Sequence, residues 1–477
     1  MFFGRKDILD KLSSLQGKSV ASLVTCRGRR RIGKSTVIEE FARRSNSRFI
    51  KIEGIKPNAG TGNKDELENF CLQLANQTQA EHSTAPDWLA AFTRLDHELD
   101  ERATVLLLDE ISWMGAYEKN FAEYIKVAWD NQWKKHDKLI LVLCGSVSGW
   151  IRENIVQNPA FYGRRSADLV VRELPLKECV KFWQRKLDRI DMKEVADVIA
   201  VTGGVPRYLE EVDPSLSAEE NIRQLCLTKD GVLRLDFDEM FNDVITSQPN
   251  FVGKVLRSLV GGPQTAEDIA KKLEVSSGGR IKNALIQLEE AGLIRDDSCV
   301  NPETQEPMRE RRFRLSDNYS RFYLKYVEPN KVEIDNGNFS RVSIAALDNF
   351  AGIMGYQFEN MVINNLDDLI SLLHIDNSLI VSAAPYYRKG SVKERGRKGC
   401  QVDLLIQTRR TYYFVEIKHQ LEIGPEVINE VDAKIKAMKY PEGVSARAAL
   451  VYDGQLSPKV AAEGYFDAII PFRRFME

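Results

Sequence analysis

One eight-residue stretch constrains this chain more than any other. Residues 28–35 are Gly-Arg-Arg-Arg-Ile-Gly-Lys-Ser, preceded by a β-rich run at 19–26 and followed by a helical pattern at 36–43. A GxxxxGKS sequence between a strand and a helix is the P-loop motif, in which backbone N–H groups and the positive end of the helix surround phosphate oxygens. The context predicts a nucleotide-binding α/β domain. A basic turn between strand and helix is the alternative, and the correct flanking elements argue against it.

The residue types of the loop suggest a role for each part. Gly28 and Gly33 permit backbone angles that bring successive N–H groups to one anion. Lys34 is expected to reach the β- and γ-phosphates of a nucleotide, and the Ser35 hydroxyl is expected to bind Mg²⁺. The predicted nucleotide contacts are Gly28, Arg29, Arg30, Arg31, Ile32, Gly33, Lys34, Ser35 and Thr36.

Two acids follow a second apolar strand. Residues 105–108 are Val-Leu-Leu-Leu, and Asp109 and Glu110 come directly after them. We expect Asp109 to hold Mg²⁺ through water and Glu110 to polarise the attacking water, a pairing typical of hydrolysing enzymes. A strand that simply ends in solvated acids is the alternative.

Three further residues are candidates for the same site. Ser146 follows the strand-like run 138–143 and would lie close to the γ-phosphate, although a turn serine is the alternative. Arg164 could complete the site of a neighbouring subunit, which predicts a homo-oligomer, but surface ion pairing is the competing interpretation and Arg165 is adjacent. Arg207 opens a helix and could reach the nucleotide of its own chain.

The chain is not basic overall. It has 477 residues, with 67 Lys and Arg against 69 Asp and Glu, and a formal net charge of −2. A histone-like protein is therefore excluded, and any contact with nucleic acid requires a local basic face. The apolar runs are too short for a membrane span, the charged N-terminus does not resemble a signal peptide, and the 7 cysteines form no CxxC pair. We predict a reduced, cytoplasmic protein without a membrane segment.

Several of these motifs together resemble a known family. The chain resembles the archaeal-type ATPases of the AAA+ class in Phe3-Gly4-Arg5, the P-loop, Asp109-Glu110, the Cys-Gly-Ser at 144–146, the Tyr-Gly-Arg-Arg at 162–165 and the Thr-Gly-Gly-Val-Pro-Arg at 202–207. The resemblance implies ATP as the ligand and an ASCE-type αβα core with a helical lid. It assigns nucleotide roles to Lys34, Ser35, Asp109 and Glu110, and also to Ser146, Arg164 and Arg207. Several family members carry a nuclease-like C-terminal domain.

The segment 264–315 predicts a winged helix-turn-helix. A capped helix at 265–273, a Ser-Ser-Gly-Gly turn and a second helix at 280–291 precede a hairpin. The exposed side of the second helix carries Arg280, Lys282, Asn283 and Gln287, which suit contacts with DNA phosphates and base edges. Glu289 and Glu290 reduce the positive charge there, so structural packing remains the alternative.

Two β-rich runs near the C-terminus bring carboxylates together. A turn at Arg409 and Arg410 would place Asp403 opposite Glu416, with Cβ atoms ~5 Å apart. Lys418 shares a face with Glu416 by the period of two. Such a cluster can hold Mg²⁺ or Mn²⁺ and activate water, but a register slip of one residue would scatter it.

This arrangement is similar to the PD-(D/E)-x-K nuclease fold, matched by Glu359, Asp403, Glu416 and Lys418. Gln401 departs from it, because relatives more often have an acid at that position. The basic runs 386–389 and 393–398 could seat a phosphodiester backbone, and a solvated loop is the alternative.

The expected fold class is therefore α/β throughout. We predict a P-loop ATPase core at 1–175, a helical lid at 176–250, a winged helix at 251–327, a linker at 328–340 and a restriction-endonuclease-like domain at 341–477. Two functions compete. One is an ATP-hydrolysing, Mg²⁺-dependent DNA endonuclease, in DNA processing or genome defence. The other is a nucleotide-controlled DNA- or protein-binding switch, whose nuclease-like domain only docks partners.

Overall fold

The structure is a computed structural model that describes residues 2–146, 148–245, 247–339, 341–390 and 399–477. The basic run predicted at 393–398 lies outside these residues. The chain divides into two compact units. Unit 1 contains Met1–Leu174 and Glu239–Ser247, and unit 2 contains Pro175–Asp238 and Gln248–Glu477.

Unit 1 is built on a five-stranded parallel sheet, in the order β2-β3-β4-β1-β5. Its strands are β1 (Ser22–Arg27), β2 (Arg48–Glu53), β3 (Thr104–Asp109), β4 (Leu139–Gly145) and β5 (Arg165–Val170). Every residue of β3 and β4 is buried, as expected of central strands covered on both faces. Strand β4 lies between the P-loop strand β1 and the acidic strand β3.

Seven helices surround this sheet: α1 (Lys6–Gln16), α2 (Lys34–Arg44), α3 (Asn63–Thr78), α4 (Trp88–His97), α5 (Ile111–Met114), α6 (Phe121–Asn131) and α7 (Ser148–Ile151). One face of the sheet packs on α3, α4 and α6 through an aromatic cluster. Trp88 lies 4.6 Å from Phe121 and Phe92 lies 5.1 Å from Trp133, measured between ring centroids. Such edge-on ring pairs add to the free energy of apolar burial.

Unit 2 begins with helices: α8 (Leu176–Cys179), α9 (Met192–Thr202), α10 (Pro206–Leu209), α11 (Ala218–Cys226) and α12 (Val232–Val244). The division into units falls within α12, between Asp238 and Glu239.

Residues 249–335 contain the predicted helix, turn, helix and hairpin. The elements are α13 (Pro249–Ser258), β6 (Gln264–Thr265), α14 (Ala266–Lys272), α15 (Gly279–Glu290), β7 (Ile294–Asp296), β8 (Arg312–Leu315), α16 (Asn318–Phe322) and α17 (Lys331–Asp335). The three strands form a sheet in the order β6-β8-β7. The segment 328–340, expected to be a linker, contains helix α17, in which Ile334 is fully buried. Its apolar residue therefore contributes to packing.

The C-terminal part contains a mixed five-stranded sheet in the order β13-β12-β11-β10-β9. Its elements are α18 (Phe350–Asn364), α19 (Leu366–Leu372), β9 (Ile380–Arg388), β10 (Cys400–Thr408), β11 (Thr411–Ile423), α20 (Glu426–Ala437), β12 (Ser445–Leu456), α21 (Pro458–Ala462) and β13 (Ala468–Pro471). Strands β10 and β11 are antiparallel, and Leu404 pairs with Val415. This is the register that the sequence predicts from a turn at Arg409 and Arg410.

The long connection between β7 and β8 packs against this C-terminal sheet. Gln407 donates to the Val300 carbonyl at 2.9 Å, and the Tyr412 hydroxyl donates to the Pro302 carbonyl at 3.0 Å. Cys299 joins the apolar core under the sheet. The predicted winged-helix segment and the C-terminal domain thus share a core. Among the described residues, no helix is both long and apolar enough to cross a bilayer.

Candidate functional site

The P-loop joins β1 to α2, and its backbone conformation depends on its two glycines. Gly28 has φ +155°, and a Cβ there would lie 2.3 Å from the Val171 carbonyl oxygen. Gly33 has φ 86° and caps α2. Any larger residue at position 28 would push the loop away from the backbone at Val171, so the conformation of the loop depends on this glycine.

Lys34 lies folded over the loop. Its side chain is 6% exposed, and Nζ donates to the Arg29 carbonyl at 3.1 Å. A buried ammonium needs acceptors, and a single carbonyl leaves two of its three N–H donors for other partners. The lysine is therefore positioned for an anion held by the same loop.

Asp109 at the end of β3 faces the first turn of α2. Its Oδ2 accepts from the Ser35 hydroxyl at 2.5 Å and lies 3.2 Å from Lys51 Nζ on the adjacent strand. Burial raises the pKa of the Asp109 carboxyl, but the Ser35 hydroxyl and the Lys51 ammonium outweigh it, so its pKa lies below the ordinary value. Asp109 is thus an ionised, buried carboxylate beside a hydroxyl.

Glu110 and Ser146 also meet, although they come from different strands. The Ser146 hydroxyl donates to the Glu110 carboxylate at 2.9 Å, and the Ser146 backbone N–H does so at 3.2 Å. The backbone of Glu110 is left-handed, with φ 48°. A buried serine therefore determines where the second acid points.

The three arginines of the loop contact acids. Arg30 contacts the Asp243 carboxylate, Arg31 lies 3.4 Å from Glu239 Oε2, and Arg29 lies 3.6 Å from Glu173 Oε1. The loop sequence predicts nucleotide contacts for these arginines, but their acidic partners lie far away in the chain and have no local signal in the loop.

Arg5 is a residue whose structural role the sequence analysis missed. Its guanidinium donates to the Ile32 carbonyl at 2.8 Å and to the Arg172 carbonyl at 2.5 Å. It therefore ties the P-loop to the segment after β5. The Phe3-Gly4-Arg5 triplet, one of the motifs that carry the family resemblance, contains this signal.

Arg164 and Arg207 both form ion pairs within the chain. Arg164 binds Asp130 of α6 with two hydrogen bonds, at 2.8 and 2.9 Å, and donates to the Ala160 carbonyl at 2.8 Å. Arg207, in unit 2, lies 2.6 Å from Glu211 Oε1. For Arg164, the structure shows the surface ion pair that the sequence analysis left open.

The C-terminal carboxylates come together around two lysines. Glu416 contacts Lys434 and lies 3.1 Å from Lys418 Nζ, while Asp403 lies 3.9 Å from Lys434 Nζ and accepts from the Ile417 N–H at 2.9 Å. Lys434 belongs to α20 and was not among the predicted site residues. The structure thus brings Asp403, Glu416 and Lys418 together as the register predicts, and adds a second lysine.

Glu359 of α18 lines the same cavity, which has a volume of about 590 Å³. Burial, together with the charge of Asp403, raises the pKa of Glu359 to about 7. Burial, together with Glu416, raises the pKa of Asp403 to about 6. Within the part of the chain described, no three His, Cys, Asp or Glu side chains are close enough to surround a metal ion. In this cluster, lysine ammonium groups neutralise the carboxylates.

The four predicted DNA contacts lie on α15 with different surroundings. Arg280 is stacked 3.9 Å over the ring of Phe251 and donates to Gln248 at 2.8 Å. Lys282 and Asn283 are exposed, and Gln287 is half-buried. Arg280 is also exposed, so these three side chains are the part of this face that a ligand could reach.

Comparisons with known proteins address unit 1 most directly. Residues 2–212 match a family model described as an ATPase domain predominantly from Archaea. The uncharacterized protein MJECL04 of Methanocaldococcus jannaschii is 21% identical over 362 residues, which cover 76% of each chain. The matched residues contain the parallel sheet and the P-loop, so this part of the chain is similar to archaeal ATPase domains.

Two solved structures show a partial likeness. The Walker-type ATPase PABY2304 of Pyrococcus abyssi aligns with a TM-score of 0.49 and 15% identity, over 68% of this chain and 96% of its own. The ORC2 protein of Aeropyrum pernix, solved as ADPNP and ADP complexes, aligns with a TM-score of 0.41 and 15% identity, over 70% and 92%.

Proposed function

We propose that this chain hydrolyses ATP with Mg²⁺ at the P-loop and cuts DNA at the C-terminal carboxylate cluster, in DNA processing or genome defence. The observation that carries the first half is the hydrogen bond of 2.5 Å between Ser35 and Asp109. A hydroxyl and an ionised carboxylate at the end of a P-loop are the hard oxygen donors that Mg²⁺ prefers. When bound there, Mg²⁺ would neutralise charge on the β- and γ-phosphates.

The residues around this pair have complementary tasks. Lys34 can move its hydrogen bond from the Arg29 carbonyl to a phosphate oxygen without leaving the loop. Glu110 accepts the proton of the attacking water, and Ser146 holds its carboxylate until a phosphate competes for the same hydroxyl.

A glutamine at position 110 tests these tasks. Glu110→Gln keeps the hydrogen-bonding shape but cannot accept a proton, so we expect ATP binding to persist while hydrolysis falls about 10²–10⁴-fold. Glu39→Gln, on the exposed side of α2, is the matched control. Hydrolysis by Glu110→Gln at the wild-type rate would show that another group is the base.

The second half rests on the pairing of Asp403 with Glu416 across β10 and β11. Both carboxylates face the Lys434 ammonium, so the cluster already holds a cation where two oxygen ligands converge. Mg²⁺ or Mn²⁺ would be held by these oxygens and would activate water there. Lys418 and Glu359 line the same cavity and would contact the reacting phosphodiester. On α15, Lys282 and Asn283, with Arg280 and Gln287, would contact the DNA.

A second candidate function has its own observation. Lys434 and Lys418 neutralise Glu416, and Lys418 is also bonded to Glu430 at 2.7 Å. A cluster neutralised by lysines does not need a metal, and this favours a docking module in a nucleotide-controlled switch.

The two functions differ in one assay. Purified protein is incubated with linear, supercoiled and branched DNA and with Mg²⁺ or Mn²⁺, with and without ATP. Cleavage that requires the divalent cation supports the endonuclease. DNA binding without cleavage of any substrate supports the switch.

We also propose that Arg164 completes the nucleotide site of a neighbouring subunit, as an arginine finger acting in trans. It requires the Arg164–Asp130 ion pair to open when subunits assemble. Arg164→Ala would then lose about 10³-fold in hydrolysis while binding ATP. Mixing it with Lys34→Ala chains would restore some activity. Arg165→Ala, tested in parallel, shows which of the two arginines acts. If mixing restored no activity and dilute Arg164→Ala hydrolysed ATP at the wild-type rate, the surface ion pair would be the only role of Arg164.

A further inference from the structure

The basic side of the P-loop is neutralised by one helix of the same chain. The Asp243 side chain, near the end of α12, is 0% exposed and lies between two cations, Arg30 of the P-loop and Lys56 Nζ at 2.6 Å. One turn earlier on α12, Glu239 lies 3.4 Å from Arg31. Two neighbouring P-loop residues are therefore bonded to two acids on one face of α12.

The two halves of α12 have different attachments. In the first half, Asp236 accepts from the Tyr208 hydroxyl, Phe237 stacks on Tyr323 with ring centroids 4.3 Å apart, and Asp238 binds Lys331 at 2.6 Å. These contacts lie in unit 2, whereas Glu239 and Asp243 group with unit 1.

Nucleotide phosphates and these two acids both need the positive charges of Arg30 and Arg31. The phosphates of ATP bound at this loop are stabilised by its cations and repelled by carboxylates nearby. Asp243, in turn, is a buried carboxylate that remains favourable only while Arg30 and Lys56 contact it. Occupation of the loop by phosphate and docking of the acidic half of α12 therefore oppose each other.

We propose that Glu239 and Asp243 of α12 compete with nucleotide phosphates for Arg30 and Arg31, so that ATP binding releases the acidic half of α12. The contact restrains ATP binding when the loop is empty, and it lets a helix that continues into unit 2 respond to the nucleotide. The inference rests on the proposed binding of ATP at the P-loop. By linkage, the factor by which the docked acidic half of α12 weakens ATP binding equals the factor by which ATP weakens that docking.

The test measures ATP affinity of the full-length protein by calorimetry in Mg²⁺. Glu239→Gln, at a side chain that is 63% exposed, should fold normally and bind ATP more tightly. Asp243→Asn should bind ATP about fivefold more tightly or better. Asp238→Asn is the matched control, because this acid lies on the same helix but binds Lys331, and its ATP affinity should equal that of wild type. Unchanged or weaker ATP binding by Glu239→Gln would overturn the proposal even if Asp243→Asn did not fold.

Hydrogen exchange of the wild-type protein provides the second measurement. A non-hydrolysable ATP analogue should speed exchange of the amides at 240–244 and leave those of α16 unchanged. Unchanged or slower exchange at 240–244 would contradict the release of α12. If the wild-type chain bound no ATP at all, the proposed function would fail as well. If it bound ATP and Glu239→Gln bound no tighter, only the α12 proposal would fail.

Discussion

The P-loop site and the C-terminal cluster each contain two neighbouring acids, but the partners of these acids differ. In unit 1, Asp109 and Glu110 each accept a hydrogen bond from a serine hydroxyl, Ser35 or Ser146. In the C-terminal cluster, Glu416 is contacted by the ammonium groups of both Lys418 and Lys434. Hydroxyl partners can rotate away or join a metal, whereas a lysine must be displaced against its charge. Asp109 at the first site has one ammonium group, Lys51 at 3.2 Å, beside its hydroxyl partner, whereas Glu416 at the second site has two.

The largest effect expected of a single substitution is at Lys34. Lys34→Ala removes the buried ammonium over the loop, and we expect ATP hydrolysis to fall by about 10³-fold or more. Steady-state phosphate release measures it, and Lys6→Ala on the exposed side of α1 is the control. DNA cleavage without ATP should persist in Lys34→Ala. Loss of both activities together would show that the two sites are not separate.

A second substitution tests whether the need to displace a lysine limits metal binding at the C-terminal cluster. Lys434→Met keeps the length of the side chain but removes the cation that Glu416 and Asp403 share. We expect Mn²⁺ to bind the cluster about tenfold more tightly, as measured by calorimetry. Lys436→Met is the control, because Lys436 is 75% exposed and pairs only with Asp432 among the contacts described. Weaker Mn²⁺ binding by Lys434→Met would instead mean that the lysine positions the carboxylates.

The smallest expected effect concerns a buried acid that has no lysine partner in its described contacts. Glu66 of α3 accepts from the Ile55 N–H at 3.0 Å, and burial raises its pKa to about 7. The folded state therefore favours the protonated carboxyl. This contribution to stability is complete below about pH 4.5 and is lost as the pH rises through 7.

Glu66→Gln should remove this dependence, which amounts to at most about 3 kcal/mol between pH 4.5 and pH 8. Thermal unfolding followed by tryptophan fluorescence reports mainly on unit 1, since five of the 6 tryptophans precede residue 151. If the wild-type protein and Glu66→Gln lost stability equally between these pH values, Glu66 would not be the group that titrates.

Much of unit 1 was predictable because its signals are local. The apolar strand expected at 105–108 lies within β3 (Thr104–Asp109), and the P-loop motif lies between β1 and α2. Periodicity, apolar runs and a motif of adjacent residues require no knowledge of distant contacts. The acids that bind the P-loop arginines were missed because Arg30 and Asp243 are separated by two hundred residues and only the fold brings them together.

Only the part of the C-terminal cluster that depends on the turn at Arg409 and Arg410 was predictable. A turn of two residues sets the register that pairs Leu404 with Val415 and so brings Asp403 beside Glu416. Lys434 was missed because it lies on an amphipathic helix, where a lysine ordinarily faces solvent. The docking of residues 299–302 on the C-terminal sheet was also missed, because turn sequences carry no signal of the surface they will contact.

The central claim is that the chain carries a second active site in addition to the proposed ATPase site at the P-loop, and DNA cleavage by Asp403→Ala tests it most directly. The substitution removes one of the two carboxylates that converge on the proposed metal position, while leaving the P-loop unchanged. We predict that wild-type protein cuts DNA in Mg²⁺ or Mn²⁺, and that Asp403→Ala does not cut but hydrolyses ATP at the wild-type rate. Equal cutting by Asp403→Ala and wild type, or no cutting by wild type on any substrate with either metal, would contradict the account.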